Sequence, residues 1–226
     1  MLRLLPFILL ALYVVVMWFF SAWRMRQDLN QNSTPLNHPR LNPVLAQLGA
    51  AMNAPTIPAH IYEVEAVNGL AVADGRIFLT RGFIRKLDAC EVTPEELASV
   101  IAHELGHVSL GHSRRRMIDF AGQNAVRMAL GGLLGRFIPF VGPWIATVIA
   151  STIAARLSRN NEYEADTFAA ALMIRAGLGT EPQISLFRKL SANMRNHSTP
   201  AWLMSHPSPE KRIAAIESHT ARWQAR

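Results

Sequence analysis

The stretch "IAHELGHVSLGH" at residues 101–112 sets two histidines four positions apart, with a glutamate directly after the first. On an α-helix, positions i and i+4 share one face, so His103 and His107 project together and can reach one ion. Zinc takes imidazole nitrogens at about 2.0–2.1 Å in tetrahedral geometry, and a catalytic zinc keeps one position for water beside three protein ligands. Glu104, one residue round the helix, stands where it could take a proton from that water and pass it to a leaving amine. In a chain of this composition the pattern arises by chance in roughly one sequence of 75, so it calls for a third ligand.

His112 does not supply it in the metzincin manner, because Leu110 and Ser113 occupy the positions where that pattern needs glycine and histidine. It lies about 140° round a continuing helix from His107 and reads as a surface or helix-end residue. "NEYEAD" (161–166) is the better candidate. Glu162 and Asp166 are again four apart, so a carboxylate could close the coordination sphere while the aspartate accepts the outer N–H of a zinc-bound histidine. Glu164 points roughly the other way. The competing reading is a helix with three solvated acids. It is weakened by the apolar run "FAAALMI" that follows at 168–174 and that should be buried.

These residues need helices to hold them. Thr93-Pro94-Glu95-Glu96 carries a capping residue, a proline suited to the first helical turn and the glutamate of a capping box. Leu97, Val100, Ile101, Leu105 and Val108 then recur at spacings of three and four, and Gly111 ends the helix. Residues 159–177 form a second helix closed by Gly177. Short helices are expected over 41–52, 181–194 and roughly 209–223. Before the histidine helix, Asn68-Gly69 and Asp74-Gly75 lie between β-favouring runs. That predicts a three-stranded antiparallel meander within 60–82, with "RIFLT" (76–80) as its last strand.

From Leu4 to Trp23 twenty residues pass without a charge, a helix about 30 Å long and enough for a bilayer's hydrocarbon core. Trp18 and Trp23 lie where an aromatic belt would fall. A cleaved signal peptide fits less well, because its apolar region is shorter and Phe20-Ser21-Ala22-Trp23 is a poor cleavage site. The chain therefore divides into an anchor at 1–23, a polar linker with three prolines at 24–43 and a domain at 44–226. Arg24 and Arg26 favour a cytoplasmic face for that domain under the positive-inside rule; a periplasmic face is the alternative.

Half the residues are apolar and 17% are charged, with a net charge of +7. No basic stripe interleaves with aromatics, which argues against a nucleic-acid partner. Cys90 is the only cysteine, so neither an internal disulfide nor a cysteine-rich metal site can form.

Four segments in order, "NGLAVADGRIFLTRGFI" (68–84), "ELASVIAHELGHVSLGH" (96–112), "SRNNEYEAD" (158–166) and "SHPSPEKRIAAI" (205–216), resemble the zinc metallopeptidase family of the CAAX prenyl protease and HtpX, of the gluzincin type marked by HExxH plus ExxAD. The resemblance covers about residues 40–216. Gly69 departs from it by replacing a more usual alanine. It implies one zinc ion on His103, His107 and Glu162, with Glu104 as general base and Asp166 behind the ligands. It also implies His206 as stabiliser of the tetrahedral oxyanion, with Arg212 supporting that wall. "RIFLT" would be the edge strand that pairs with an extended peptide or protein substrate.

Residues 137–155 are long and uncharged enough for a second span, as in HtpX. But His107 precedes them and Glu162 follows, so an even number of crossings must separate the two. The residues just before, with Arg114–Arg116, Asp119 and Arg127, make a poor partner span. The region 117–155 is therefore expected as an apolar helical hairpin, on the domain or at the membrane surface. The whole reading is a mainly helical α+β protein: a gluzincin-like domain with a small antiparallel sheet behind a transmembrane helix, in the small form with one anchor. Its expected function is membrane-bound zinc endopeptidase in membrane or envelope protein quality control, with protein substrates and the lipid bilayer as partners. A non-catalytic, zinc-stabilised, chaperone-like or scaffolding membrane protein is the alternative.

Overall fold

The computed structural model describes residues 5–72, 74–138, 141–194 and 209–224. The elements in chain order are α1 (Leu5–Gln31), β1 (Ser33–Pro35), α2 (Asn42–Ala51), β2 (Ala59–Tyr62), β3 (Gly69–Ala71), β4 (Ile77–Thr80), α3 (Arg81–Asp88), α4 (Pro94–Ser109), α5 (His112–Phe137), α6 (Gly142–Arg175), α7 (Glu181–Met194) and α8 (Pro209–Gln224). The fold is mainly helical α+β, with one four-stranded mixed sheet.

Helix α4 is the axis of the domain. Its start is the capping box read in the sequence: Glu96 N–H donates to Thr93 Oγ1 at 3.2 Å and Thr93 N–H to Glu96 Oε2 at 2.8 Å. Every residue from Glu96 to His107 is buried, as befits a helix covered on all sides. Strands, α2, α6 and α7 surround it. The core runs through Leu97, Ile101, Phe83, Met173 and Phe187.

The sheet corrects the expected meander. Its order is β1-β2-β4-β3, with β2 parallel to β4 and β1–β2 and β3–β4 antiparallel. Asp74-Gly75 does turn β3 into β4, with Gly75 at φ +90°. Asn68-Gly69 makes no hairpin, because Asn68 instead binds the far end of β4: Thr80 N–H donates to its carbonyl at 3.0 Å. Strand β4 is therefore internal, not an edge, and the expected substrate pairing along "RIFLT" is overturned. The physical reason lies in its composition. All four residues of β4 are buried whereas β2 alternates, and a strand covered on both faces belongs inside the sheet. Strand β3 takes the edge beside α4.

Part of the stretch read as a linker is structured. Helix α1 continues to Gln31, and β1 pairs with β2. Leu29 is buried against Val72 and Phe78, and Asp28 accepts a hydrogen bond from the Tyr62 hydroxyl, so the end of α1 docks on the sheet. Upstream, Leu12, Tyr13, Val15, Phe19 and Phe20 are exposed. Among the described residues no helix is long and apolar enough to cross a membrane.

Helices α5 and α6 fold back on one another and are joined at 138–141. Helix α6 runs unbroken for 34 residues, through the apolar stretch and the acidic one that the sequence reading assigned to separate helices. The far part of the pair exposes Met128, Phe137 and Trp144.

Candidate metal centre

His103 and His107 leave α4 on the same side, and Glu162 reaches them from α6. The His103 and His107 Nε2 atoms are 3.1 Å apart. Glu162 Oε2 lies 3.3 Å from His103 Nε2, and Oε1 lies 3.5 Å from His107 Nε2. Ligands about 2.0–2.1 Å from a tetrahedral ion stand about 3.3–3.4 Å from each other, so this spacing suits one cation. All three side chains are buried, and they are the group among the described residues placed to hold a metal.

Gly106 makes the convergence possible. A Cβ there would stand 3.1 Å from the Cα and carbonyl oxygen of Ala165 and 3.3 Å from Phe168 Cβ. Any side chain there would press on the α6 backbone, so glycine suits this close approach, and Ala165 and Ala169 on α6 are fully buried.

Glu104 is buried, and its Oε1 has no hydrogen-bond partner among the described residues. A buried carboxylate oxygen without a partner is costly, and one beside a candidate metal triad is what a site awaiting water and substrate provides. Edge strand β3 runs alongside. A Cβ on Gly69 would stand 3.7 Å from Glu104 Oε1 but only 2.8 Å from Val100 Cγ1, so an alanine would need Val100 to move.

Behind the triad, Asp166 accepts from His103 Nδ1 at 3.0 Å. Arg212, on α8, grips the same carboxylate with Nε and Nη2, each at 2.6 Å, and lies 4.4 Å over the Phe187 ring. Both residues are buried. Burial alone would raise the Asp166 carboxyl, but the Arg212 charge and hydrogen bonds outweigh it and hold the group at about 2. Burial likewise works to lower the His103 imidazole, yet its bonds with Asp166 and Glu162 raise it to about 9.

Sequence reasoning missed two neighbours. Gln183 on α7 is buried, with Nε2 3.4 Å from Asp166 Oδ1. His112 is not a surface residue: it is fully buried, its Nδ1 lies 2.8 Å from His107 Nδ1, and its Nε2 lies 3.1 Å from Glu164 Oε2. Burial pushes the His112 imidazole below its ordinary value, against the opposing bond with Glu164. The signal was available: Gly111 adopts φ +68°, and a chain that turns there no longer obeys the helical angle used to place His112 outside. His206 lies outside the described residues.

Nitrogen and carboxylate donors held on packed helices beside a buried glutamate make a candidate hydrolytic metal site. The comparisons agree: residues 35–220 match Peptidase family M48, and the chain belongs to that family. It is similar to metalloprotease YcaL of Escherichia coli, 28% identical over 182 residues, covering 80% of this chain and 69% of the relative. Metalloprotease LoiP of the same organism is 28% identical over 180 residues, covering 78% and 68%. A putative beta-barrel assembly-enhancing protease of Vibrio cholerae is 31% identical over 198 residues, covering 82% of this chain but 40% of the relative.

Proposed function

We propose that this chain is a zinc-dependent endopeptidase with a gluzincin-like centre, in which His103, His107 and Glu162 hold the ion and Glu104 is the general base. The observation that carries this is the buried triad with mutual spacings of 3.1–3.5 Å beside the unpartnered Glu104 oxygen. Bound there, zinc would supply Lewis acidity toward a water and the scissile carbonyl.

The chain's own residues do the rest. Glu104 accepts the proton of the attacking water and returns it to the leaving amine. Asp166, itself clamped by Arg212, holds the His103 ring with its Nδ1 proton outward and its Nε2 lone pair toward the ion. Arg212 thereby acts on the ligands through Asp166. His206 is the candidate oxyanion stabiliser on the resemblance alone. An extended substrate would pair with edge strand β3, whose neighbour α4 carries Glu104.

The apolar residues exposed on α1 support a single-pass anchor in the bilayer. Names among the relatives support a role in envelope protein quality control. The test of the chemistry is Glu104→Gln together with metal analysis. The variant should keep about one zinc per chain and lose about 10²–10⁴-fold in cleavage of an unfolded protein such as casein. Cleavage unchanged in the variant, or insensitive to chelator in the wild type, would refute the assignment.

A further inference from the structure

We propose that His112 is a positioning residue of the metal centre: it fixes the tautomer and ring orientation of His107, and is itself held by Glu164 and Arg115. This rests on the reading of His103, His107 and Glu162 as zinc ligands.

The two ligand histidines are supported differently. His103 meets a carboxylate directly, at Asp166 Oδ1. His107 meets the Nδ1 of a second imidazole at 2.8 Å, the rings 4.9 Å apart between centroids and inclined at 70°. Two ring nitrogens at that separation need one proton between them. His107 must keep its Nε2 lone pair for the ion, so its proton sits on Nδ1 and is donated to His112. His112 Nδ1 is then the acceptor, which places the His112 proton on Nε2. That nitrogen lies 3.1 Å from Glu164 Oε2, and the same oxygen accepts from Arg115 Nη1 at 2.7 Å. Every donor in the series finds an acceptor, and only one set of tautomers satisfies all of them. The carboxylate that ends the series stands at the protein surface, with the Glu164 side chain 47% exposed.

Local folding explains how His112 arrives there. Gly111, at φ +68°, ends the α4 region and lets the next residue open α5. His112 therefore falls beneath His107 instead of a third of a turn or more away. Glu164 completes the arrangement because it sits on α6 between Glu162 and Asp166, on the side away from the ion.

The test uses the full chain with His112→Phe, His112→Asn and Glu164→Gln, reading zinc affinity by competition with a chromophoric chelator and folding by circular dichroism. Asparagine is the informative partner, because its Oδ1 stands near where the ring Nδ1 stood and keeps the acceptor. His112→Phe should weaken zinc binding about 10–100-fold, shift the visible spectrum of the cobalt-substituted protein and lower kcat with little change in KM. His112→Asn should recover most of the affinity, and Glu164→Gln should show a smaller loss. A folded His112→Phe chain with wild-type affinity, or an asparagine variant as weak as the phenylalanine one, overturns the proposal. If His112→Phe does not fold, Glu164→Ala, which removes the acceptor altogether, decides, and undiminished affinity there overturns it equally. A wild-type chain that takes up no zinc overturns the zinc reading and this proposal with it. Variants that match a zinc-binding wild type overturn the positioning role alone.

Discussion

The two halves of helix α6 invert the usual relation between polarity and burial. In its first half, Trp144 is 67% exposed and Ile153 46%; in its second, Glu162 and Asp166 are each 1% exposed. The second half buries carboxylates without penalty because each has partners: Glu162 faces two imidazoles, and Asp166 faces His103, Arg212 and Gln183. The first half packs along α5 and leaves apolar surface facing outward. One continuous helix thus joins a region built on electrostatic satisfaction to one whose apolar area is not covered by the chain's described residues. The contrast teaches that a carboxylate is buried where partners meet it, and an apolar side chain only where neighbouring elements cover it.

The contrast breaks most sharply at Asp166. Changing it to asparagine leaves the buried Arg212 guanidinium without its countercharge, and the expected cost is about 3–5 kcal/mol in urea unfolding. A cost near zero would show that the buried half does not depend on pairing. Next is Gly106→Ala, whose new methyl meets Ala165 and Phe168. It should cost about 1–3 kcal/mol and weaken metal binding at the same time by displacing Glu162. Stability lost with metal affinity intact would separate the helix contact from the site.

A pH experiment sharpens the same point. The Asp166 carboxyl is held at about 2 against an ordinary 3.8. Its contribution to stability is therefore whole above the unfolded value and is lost as pH falls through about 2. Wild type should lose stability between about pH 4 and about pH 2 more steeply than Asp166→Asn. Equal slopes would remove Asp166 from the account. The smallest effect belongs to the exposed half. Phe137→Ser with Trp144→Ser should change unfolding free energy by no more than about 0.5 kcal/mol, while reducing adsorption of the protein to lipid vesicles. A large loss of stability would mean that the apolar face is already covered within the fold.

Local chemistry was legible wherever neighbours in sequence are neighbours in space. Thr93 to Glu96 specify a helix start, and the four-residue spacings of His103–His107 and Glu162–Asp166 place each pair on one face. Both follow from the geometry of a single helix. Strand order was not legible, because β2 pairs with β4 across the intervening β3, and such non-local pairing is settled by which strand is covered on both faces. The position of His112 was misjudged because one glycine in a left-handed conformation cancels the helical angle.

By itself, then, the sequence determined the helix carrying two imidazoles and a glutamate, and a second segment carrying a carboxylate pair. Only the tertiary structure decided that the two converge, that Arg212 arrives from α8 to neutralise Asp166, and that His112 turns inward. Those outcomes depend on how closely two helix backbones approach at Gly106, and on the partners that the buried Asp166, Arg212 and His112 find on other helices. No run of consecutive residues encodes either.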